Sequence, residues 1–158
     1  MSAITIYTDG ACMGNPGPGG WAAIVVQGGR ELELSGGMAH TTNNQMELQA
    51  VISGLKALKK SCKVSVCTDS KYITKAFNDD WISDWKLRAK DGIWRTSSRK
   101  PVANQALWEE LIRLVSLHEV EAWDWVKGHN KHVYNERCDA LAVTARDAAY
   151  AALLLAPS

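Results

Sequence analysis

The chain has 158 residues, enough to build one core and short of the length at which a second becomes the rule. Its 46% hydrophobic and 22% charged content excludes a disordered or collagen-like polymer. The longest apolar stretch, Ala148 to Ala156, is too short to cross a bilayer, and a formal net charge of +1 conceals an uneven distribution described below.

The hydrophobic pattern divides the chain into short alternating elements. Ala3–Cys12 alternates as a strand, and the Gly- and Pro-rich run from Gly14 to Gly20 reads as a turn by composition. Trp21–Gln27 and Glu31–Ala39 are predicted as two strands of a hairpin closed at Gly28-Gly29. Asn44–Lys60 carries Val51, Leu55 and Leu58 at helical spacing. Lys63–Thr68 is a strand, and Ser70–Phe77 and Asp80–Ala89 are short helices. Pro101 precedes a helix over Ala103–His118 with Leu107, Leu111, Leu114 and Val115 on one face. Val120–Val126 is the fifth strand, and the last helix begins near Asn135. An antiparallel meander of three strands followed by right-handed crossovers gives an α/β fold with a mixed five-stranded sheet, order 3-2-1-4-5. The first and fourth strands are then neighbours. Cys12, Cys62, Cys67 and Cys138 form no CxxC pair and no zinc spacing, and no leader-like segment precedes the first strand. Reduced thiols in a cytoplasmic protein are expected.

Four acids stand in informative places. Asp9 follows Ile4-Thr5-Ile6-Tyr7-Thr8, and Asp69 follows Val64-Ser65-Val66-Cys67-Thr68 at the same relative position. Ligands of open α/β sheets bind outside the carboxyl ends of the strands, so these two aspartates can face one cleft. Glu47 and Asp139 lie near the starts of predicted helices. Four converging carboxylates repel unless a cation sits among them, and hard divalent ions prefer oxygen ligands. The pattern fits a two-metal site for cutting a phosphodiester. Each acid also has a structural reading on its own. An Asp after a strand orders a turn. Glu47 is three residues after Asn44 and can close a capping box. Asp139 near a helix start is favoured by the helix dipole.

The charge is concentrated. Residues 86–100 hold Lys86, Arg88, Lys90, Arg95, Arg99 and Lys100 against Asp91 alone, which leaves the rest of the chain net acidic. A basic block on an acidic body is the footprint of a polyanion-binding surface, and its structural alternative is a solvated loop. Trp81, Trp85 and Trp94 interleave with these charges. Trp81 and Trp85, four apart, suit packing on a neighbouring helix, with the basic groups as phosphate contacts.

The phrases around the acids resemble those of the bacterial type 1 ribonuclease H family. They are Tyr7-Thr8-Asp9-Gly10 through Gly20, Thr41-Thr42-Asn43-Asn44-Gln45-Met46-Glu47-Leu48, Thr68-Asp69-Ser70-Lys71-Tyr72, and Val126-Lys127-Gly128-His129 with Asn135 to Asp139. All four occur in family order and span the chain from about residue 4 to about 145. The resemblance implies one ribonuclease H catalytic domain over residues 1–158, with a basic protrusion at about 81–101 and no separate hybrid-binding domain. It implies an endonuclease that hydrolyses the RNA strand of RNA/DNA hybrids by two-metal-ion catalysis, leaving 3′-hydroxyl and 5′-phosphate ends. The implied ligands of two Mg²⁺ ions, for which Mn²⁺ is a possible substitute, are Asp9, Glu47, Asp69 and Asp139, with His129 as a proton shuttle. Implied substrate contacts are Cys12, Asn15, Thr42, Asn43, Asn44 and Lys71, with Asn15 and Thr42 at a DNA phosphate. Trp81, Trp85, Lys86, Arg88, Trp94 and Lys100, in the protrusion, are implied as further substrate-binding residues. A monomer acting on hybrid nucleic acid in the cytoplasm, away from membranes, is the expected form.

One departure is visible. The family commonly has glycine two residues after the histidine, where this chain has Lys131. The fold and acid geometry also resemble DNA strand-transfer enzymes and junction resolvases, which do not account for the Thr-Thr-Asn-Asn and Gly-Asn-Pro-Gly-Pro-Gly-Gly phrases. An inert hybrid-binding module is the reading from another class, and loss of an acidic ligand would mark it. All four acids are present.

Overall fold

The computed structural model describes residues 3–127 and 132–155. In chain order the elements are β1 (Ile4–Cys12), β2 (Gly17–Gln27), β3 (Arg30–Thr41), α1 (Asn43–Lys56), β4 (Lys63–Thr68), α2 (Lys71–Asn78), α3 (Trp81–Leu87), α4 (Gln105–Ser116), β5 (Glu119–Trp125) and α5 (Val133–Leu155). They form a mixed sheet in the order β3-β2-β1-β4-β5, as the meander and crossovers require. β1 pairs antiparallel with β2 and parallel with β4, and β4 pairs parallel with β5.

Both faces of the sheet are covered. On one, Ile6, Val64 and Val66 meet Leu48, Val51 and Leu55 of α1 and Trp108 and Leu111 of α4, all buried in one cluster. On the other, Ala11, Ala22 and Ile24 meet Cys138 and Ala142 of α5. Period-2 alternation in β1 sends Ile4 and Ile6 to the first face while Tyr7 packs at the second. The parallel pairing of β1 with β4 runs from Ile4↔Val64 to Thr8↔Thr68, which sets Asp9 and Asp69 side by side one step beyond it.

Most element ends shift by a residue or two from the sequence expectation, and the departures at β2 and α1 have clear physical reasons. β2 begins at Gly17, so half of the predicted Gly/Pro turn is strand. At Gly20 a Cβ would run into the Ala142 carbonyl oxygen and the Arg146 amide of α5. The glycines let a strand pass beneath a helix, and composition alone cannot distinguish that from a turn. α1 starts one residue earlier than predicted and ends at Lys56, leaving Leu58 packed on the core from outside the helix. Its N-cap is Thr42, whose hydroxyl accepts from the Gln45 amide at 3.2 Å while the Gln45 side chain accepts from the Thr42 amide at 3.3 Å. This reciprocal pair is a capping box, and it overturns the alternative in which Asn44 and Glu47 make one. Glu47, five residues into the helix, is free of capping duty.

The segment between α3 and α4 is anchored by tryptophans. Trp85 and Trp94 are buried, and Trp85 meets Trp108 edge-on with ring centres 5.4 Å apart. Trp94 is tied through its backbone to Val102, whose amide donates to the Trp94 carbonyl at 2.9 Å. Both rings belong to the core cluster, the packing role that the four-residue spacing of Trp81 and Trp85 suits. Trp81 is half-buried beside Trp85. Lys86, Lys90, Arg99 and Lys100 remain exposed, and Lys86 Nζ lies 5.5 Å above the Trp94 ring centre. All four cysteines are free thiols, with Cys67 and Cys138 buried.

Candidate active site

Asp9, Glu47 and Asp69 each offer a carboxylate oxygen within 4.8 Å of the other two. Gly10 makes this approach possible. A Cβ there would sit 2.7 Å from the Glu47 amide nitrogen and 2.8 Å from the Met46 carbonyl carbon, so only glycine lets β1 lie this close to α1. The Gly10 amide then donates to Asp9 Oδ1 at 2.8 Å and to Glu47 Oε1 at 3.1 Å. Thr8-Asp9-Gly10 is therefore one unit: a strand end, a ligand, and the gap that admits the second ligand.

Asp9 and Glu47 are each only 3% exposed. Burial, then the negative charge of Asp69, drives Asp9 up to about 8 from an ordinary 3.8, with Asp139 adding to the rise and the Gly10 amide opposing it. Burial, then Asp9 and Asp69, likewise holds Glu47 well above the usual carboxylate range. Glu47 Oε2 is buried without a hydrogen-bond partner among the described residues. Buried carboxylates at this spacing with an unserved oxygen match the oxygen-donor set of a hard divalent cation. Asp139, half-buried on α5, lies outside the tight trio yet close enough for its charge to reach Asp9. The sequence expectation of four acids at one point becomes three close together and one flanking.

Asp69 is held from the chain on either side. The Ser70 amide donates to the Thr68 hydroxyl at 3.1 Å, and the Ser70 hydroxyl caps α2 by accepting from the Ile73 amide at 3.3 Å. Beside it opens a cavity of about 350 Å³ lined by Asn43, Asn44, Glu47, Asp69, Ser70, Lys71, Tyr72 and Trp125. The expected contact residues Asn43, Asn44 and Lys71 thus share a wall with two of the acids. Asn15 sits at the other side of the α1 start, its side-chain oxygen accepting from the Asn43 amide at 2.8 Å. That bond gives Asn15 a structural role and keeps it beside Thr42. Cys12 is half-buried, and its thiol donates to the Thr41 carbonyl at 3.4 Å. His129 and Lys131 lie outside the described residues.

Trp125 lines the cavity, and none of the sequence motifs points to it. The Trp-Asp-Trp alternation of β5 places Trp123 and Trp125 on one face. Trp123 stacks on Phe77 at 3.9 Å, whereas Trp125 remains 43% exposed. An aromatic at the last position of a strand ending beside Asp69 is the signal that could have found it.

A mixed sheet in this order, with acids at the carboxyl end of its central parallel pair, defines a protein of the ribonuclease H-like fold class. A family model described as RNase H matches residues 1–147. The ribonuclease H of Cupriavidus metallidurans is 53% identical over 142 residues, covering 90% of this chain and 94% of its own. That of Ralstonia nicotianae is 54% identical over 142 residues, covering 90% of each. Among solved structures, LC9-RNase H1, a type 1 RNase H with the type 2 active-site motif, superposes with a TM-score of 0.77 at 33% identity, covering 93% of this chain and 73% of its own. LC11-RNase H1, solved in complex with an RNA/DNA hybrid, gives a TM-score of 0.67 at 25% identity, covering 93% and 99%. The chain belongs to the ribonuclease H family, enzymes that cleave the RNA strand of RNA/DNA hybrids.

Proposed function

We propose that this chain hydrolyses the RNA strand of RNA/DNA hybrids internally, using two Mg²⁺ ions and leaving 3′-hydroxyl and 5′-phosphate ends. The observation that carries the reading is the buried trio Asp9, Glu47 and Asp69 within 4.8 Å, crowded enough to raise the proton affinity of two of its members. The donor set is oxygen only, which favours Mg²⁺ with Mn²⁺ as a substitute. Asp9, Glu47 and Asp69 would hold the ions, with Asp139 completing the set from α5. When bound, such ions activate water and stabilise the departing 3′ oxygen.

The protein side of the chemistry is positioning. Gly10 fixes Asp9 and Glu47 through one amide. Asn43, Asn44 and Lys71 line the adjoining cavity, where the RNA 2′-hydroxyl, both donor and acceptor, would meet them. Asn15 and Thr42 at the α1 start suit a phosphate of the DNA strand, with Cys12 nearby. Lys86, Arg88 and Lys100, with Trp81 beside them, form the protrusion that would track the same strand, while Trp85 and Trp94 hold it to the core. His129 is retained as the proton shuttle on its motif. Family resemblance supports a monomer working in the cytoplasm.

The test is cleavage of labelled RNA/DNA hybrid, duplex DNA and duplex RNA, each with Mg²⁺ and with chelator. Fragments should arise only from the RNA of the hybrid and only with the ion. Cutting in chelator contradicts the metal-ion chemistry, and cutting of duplex DNA at a similar rate favours the strand-transfer or resolvase class. Tight hybrid binding without cutting would mark an inert binding module.

A further inference from the structure

The geometry points to Trp125 as a positioning residue of this site: its indole N–H holds the Asp69 backbone, and its ring face holds the Lys71 ammonium at the mouth of the cavity. The inference deepens the proposed function and rests on that reading for its substrate. The parallel ladder of β4 and β5 ends at Thr68↔Trp125, with the Val126 amide donating to the Thr68 carbonyl at 2.9 Å. The next carbonyl in the row belongs to Asp69, where no strand continues. There the side chain takes over, and Trp125 Nε1 donates to the Asp69 carbonyl at 2.9 Å. A rigid bicyclic donor thus prolongs the ladder by one step and fixes the peptide that aims the Asp69 carboxylate.

The other half concerns charge. Lys71 is the first residue of α2, where the helix dipole disfavours a cation, and no acid stands in that first turn. Its Nζ instead lies 4.7 Å from the centre of the Trp125 ring. The π face offers the ammonium a partner that does not neutralise it, so the charge stays available to a phosphate. Placed over Trp125, Lys71 stands on the same cavity wall as Asn43 and Asn44. The exposure of Trp125 is then explained: the ring is a platform for Lys71 at the cavity. One side chain couples the placement of an acid to the placement of a base one residue beyond its neighbour.

Three variants separate the two halves. Trp125→Phe keeps a ring face and loses the N–H; Trp125→Gln keeps a side-chain N–H and loses the ring; Trp125→Leu loses both. Mg²⁺ affinity is measured by calorimetry without nucleic acid, and KM and kcat on hybrid, with circular dichroism as the check of folding. Loss of the N–H should weaken Mg²⁺ binding and kcat by about 2–10-fold in the Phe variant, with KM nearly kept. Loss of the ring should raise KM by about 2–5-fold in the Gln variant, and not further when Lys71→Ala is added. The Leu variant should show both effects, and the Gln variant covers a Leu variant that fails to fold. Wild-type Mg²⁺ affinity in folded Trp125→Phe overturns the Asp69 half. A KM in Trp125→Gln equal to that of Trp125→Phe overturns the Lys71 half. Absence of hybrid cleavage by the wild type would refute the proposed function instead, while the calorimetry still judges Trp125 and Asp69.

Discussion

Asp9→Asn should abolish cleavage and, without divalent ions, make the protein more stable. Asp9 is raised to about 8 from 3.8, chiefly by burial and by Asp69. At about 1.4 kcal/mol per pH unit, keeping this site folded at pH 7 costs roughly 4 kcal/mol relative to a chain whose Asp9 ionises freely. Asparagine is neutral without having to take up a proton, and its oxygen can still accept from the Gly10 amide that Asp9 uses at 2.8 Å. A buried amide retains a desolvation cost of about 1–3 kcal/mol, so the net gain is on the order of 2 kcal/mol. For a chain of this size that is a rise of roughly 4–8 °C in Tm. The sign follows from linkage. A carboxyl with a raised folded pKa leaves the folded state binding more protons than the unfolded one between about 4 and 8, so wild-type stability in chelator falls as pH rises through that window. The advantage of the Asn variant should therefore vanish near pH 4 and grow toward pH 8. Thermal melts by circular dichroism at several pH values, in chelator and in Mg²⁺, measure it, and Mg²⁺ should narrow the gap by binding the wild type. An Asn variant that melts at or below wild type throughout, with no dependence on pH, refutes the reasoning.

Gly20→Ala should unfold or strongly destabilise the chain, because its Cβ meets backbone atoms of α5 with no flexible end to give way, and a melt compares it with wild type. Thr42→Ala removes one half of the α1 cap and should cost about 1 kcal/mol in denaturant titration, with activity on hybrid also reduced if Thr42 holds a phosphate. Changing Lys86, Arg88, Arg95 and Lys100 together to Gln should raise KM with kcat nearly preserved, and shallow the log–log salt dependence of hybrid binding by about 0.9 for each phosphate no longer neutralised. An unchanged slope in a folded variant reduces the segment to a solvated loop. His129→Ala should slow turnover by about 10²–10⁴-fold while leaving Mg²⁺ affinity intact, and an unchanged rate across pH returns it to an ordinary histidine.

Much of this site is readable from sequence because it sits at ends of regular elements. Asp9 and Asp69 follow equivalent alternating runs, and the crossover rule makes those runs neighbours, so their meeting needs no coordinates. Glu47 is harder. Thr42 with Gln45 and Asn44 with Glu47 are both cap-like pairs at the same spacing, and only the helix start shows that the first is used. Gly17 to Gly20 mislead because a glycine run in a turn and one beneath a packed helix have the same composition, and Ala142 and Arg146 lie far along the chain. Trp94 reads with its charged neighbours, although its ring turns inward to the core that Trp85 and Trp108 share. Trp125 stays hidden because its partners, the Asp69 carbonyl and the Lys71 ammonium, come from another strand end and another helix. Local pattern exposes what repeats along an element, while contacts between element ends emerge only after folding.

The central claim is that the Asp9–Glu47–Asp69 cluster gathers the ions that cut RNA. Crystals of the wild-type protein grown with a hybrid whose scissile linkage resists hydrolysis, and soaked in Mn²⁺, would test it by anomalous scattering. The account predicts two manganese peaks touching the cluster and the RNA phosphate, with Asp9 in contact with both. A fully bound hybrid with no peak at these three carboxylates would contradict it.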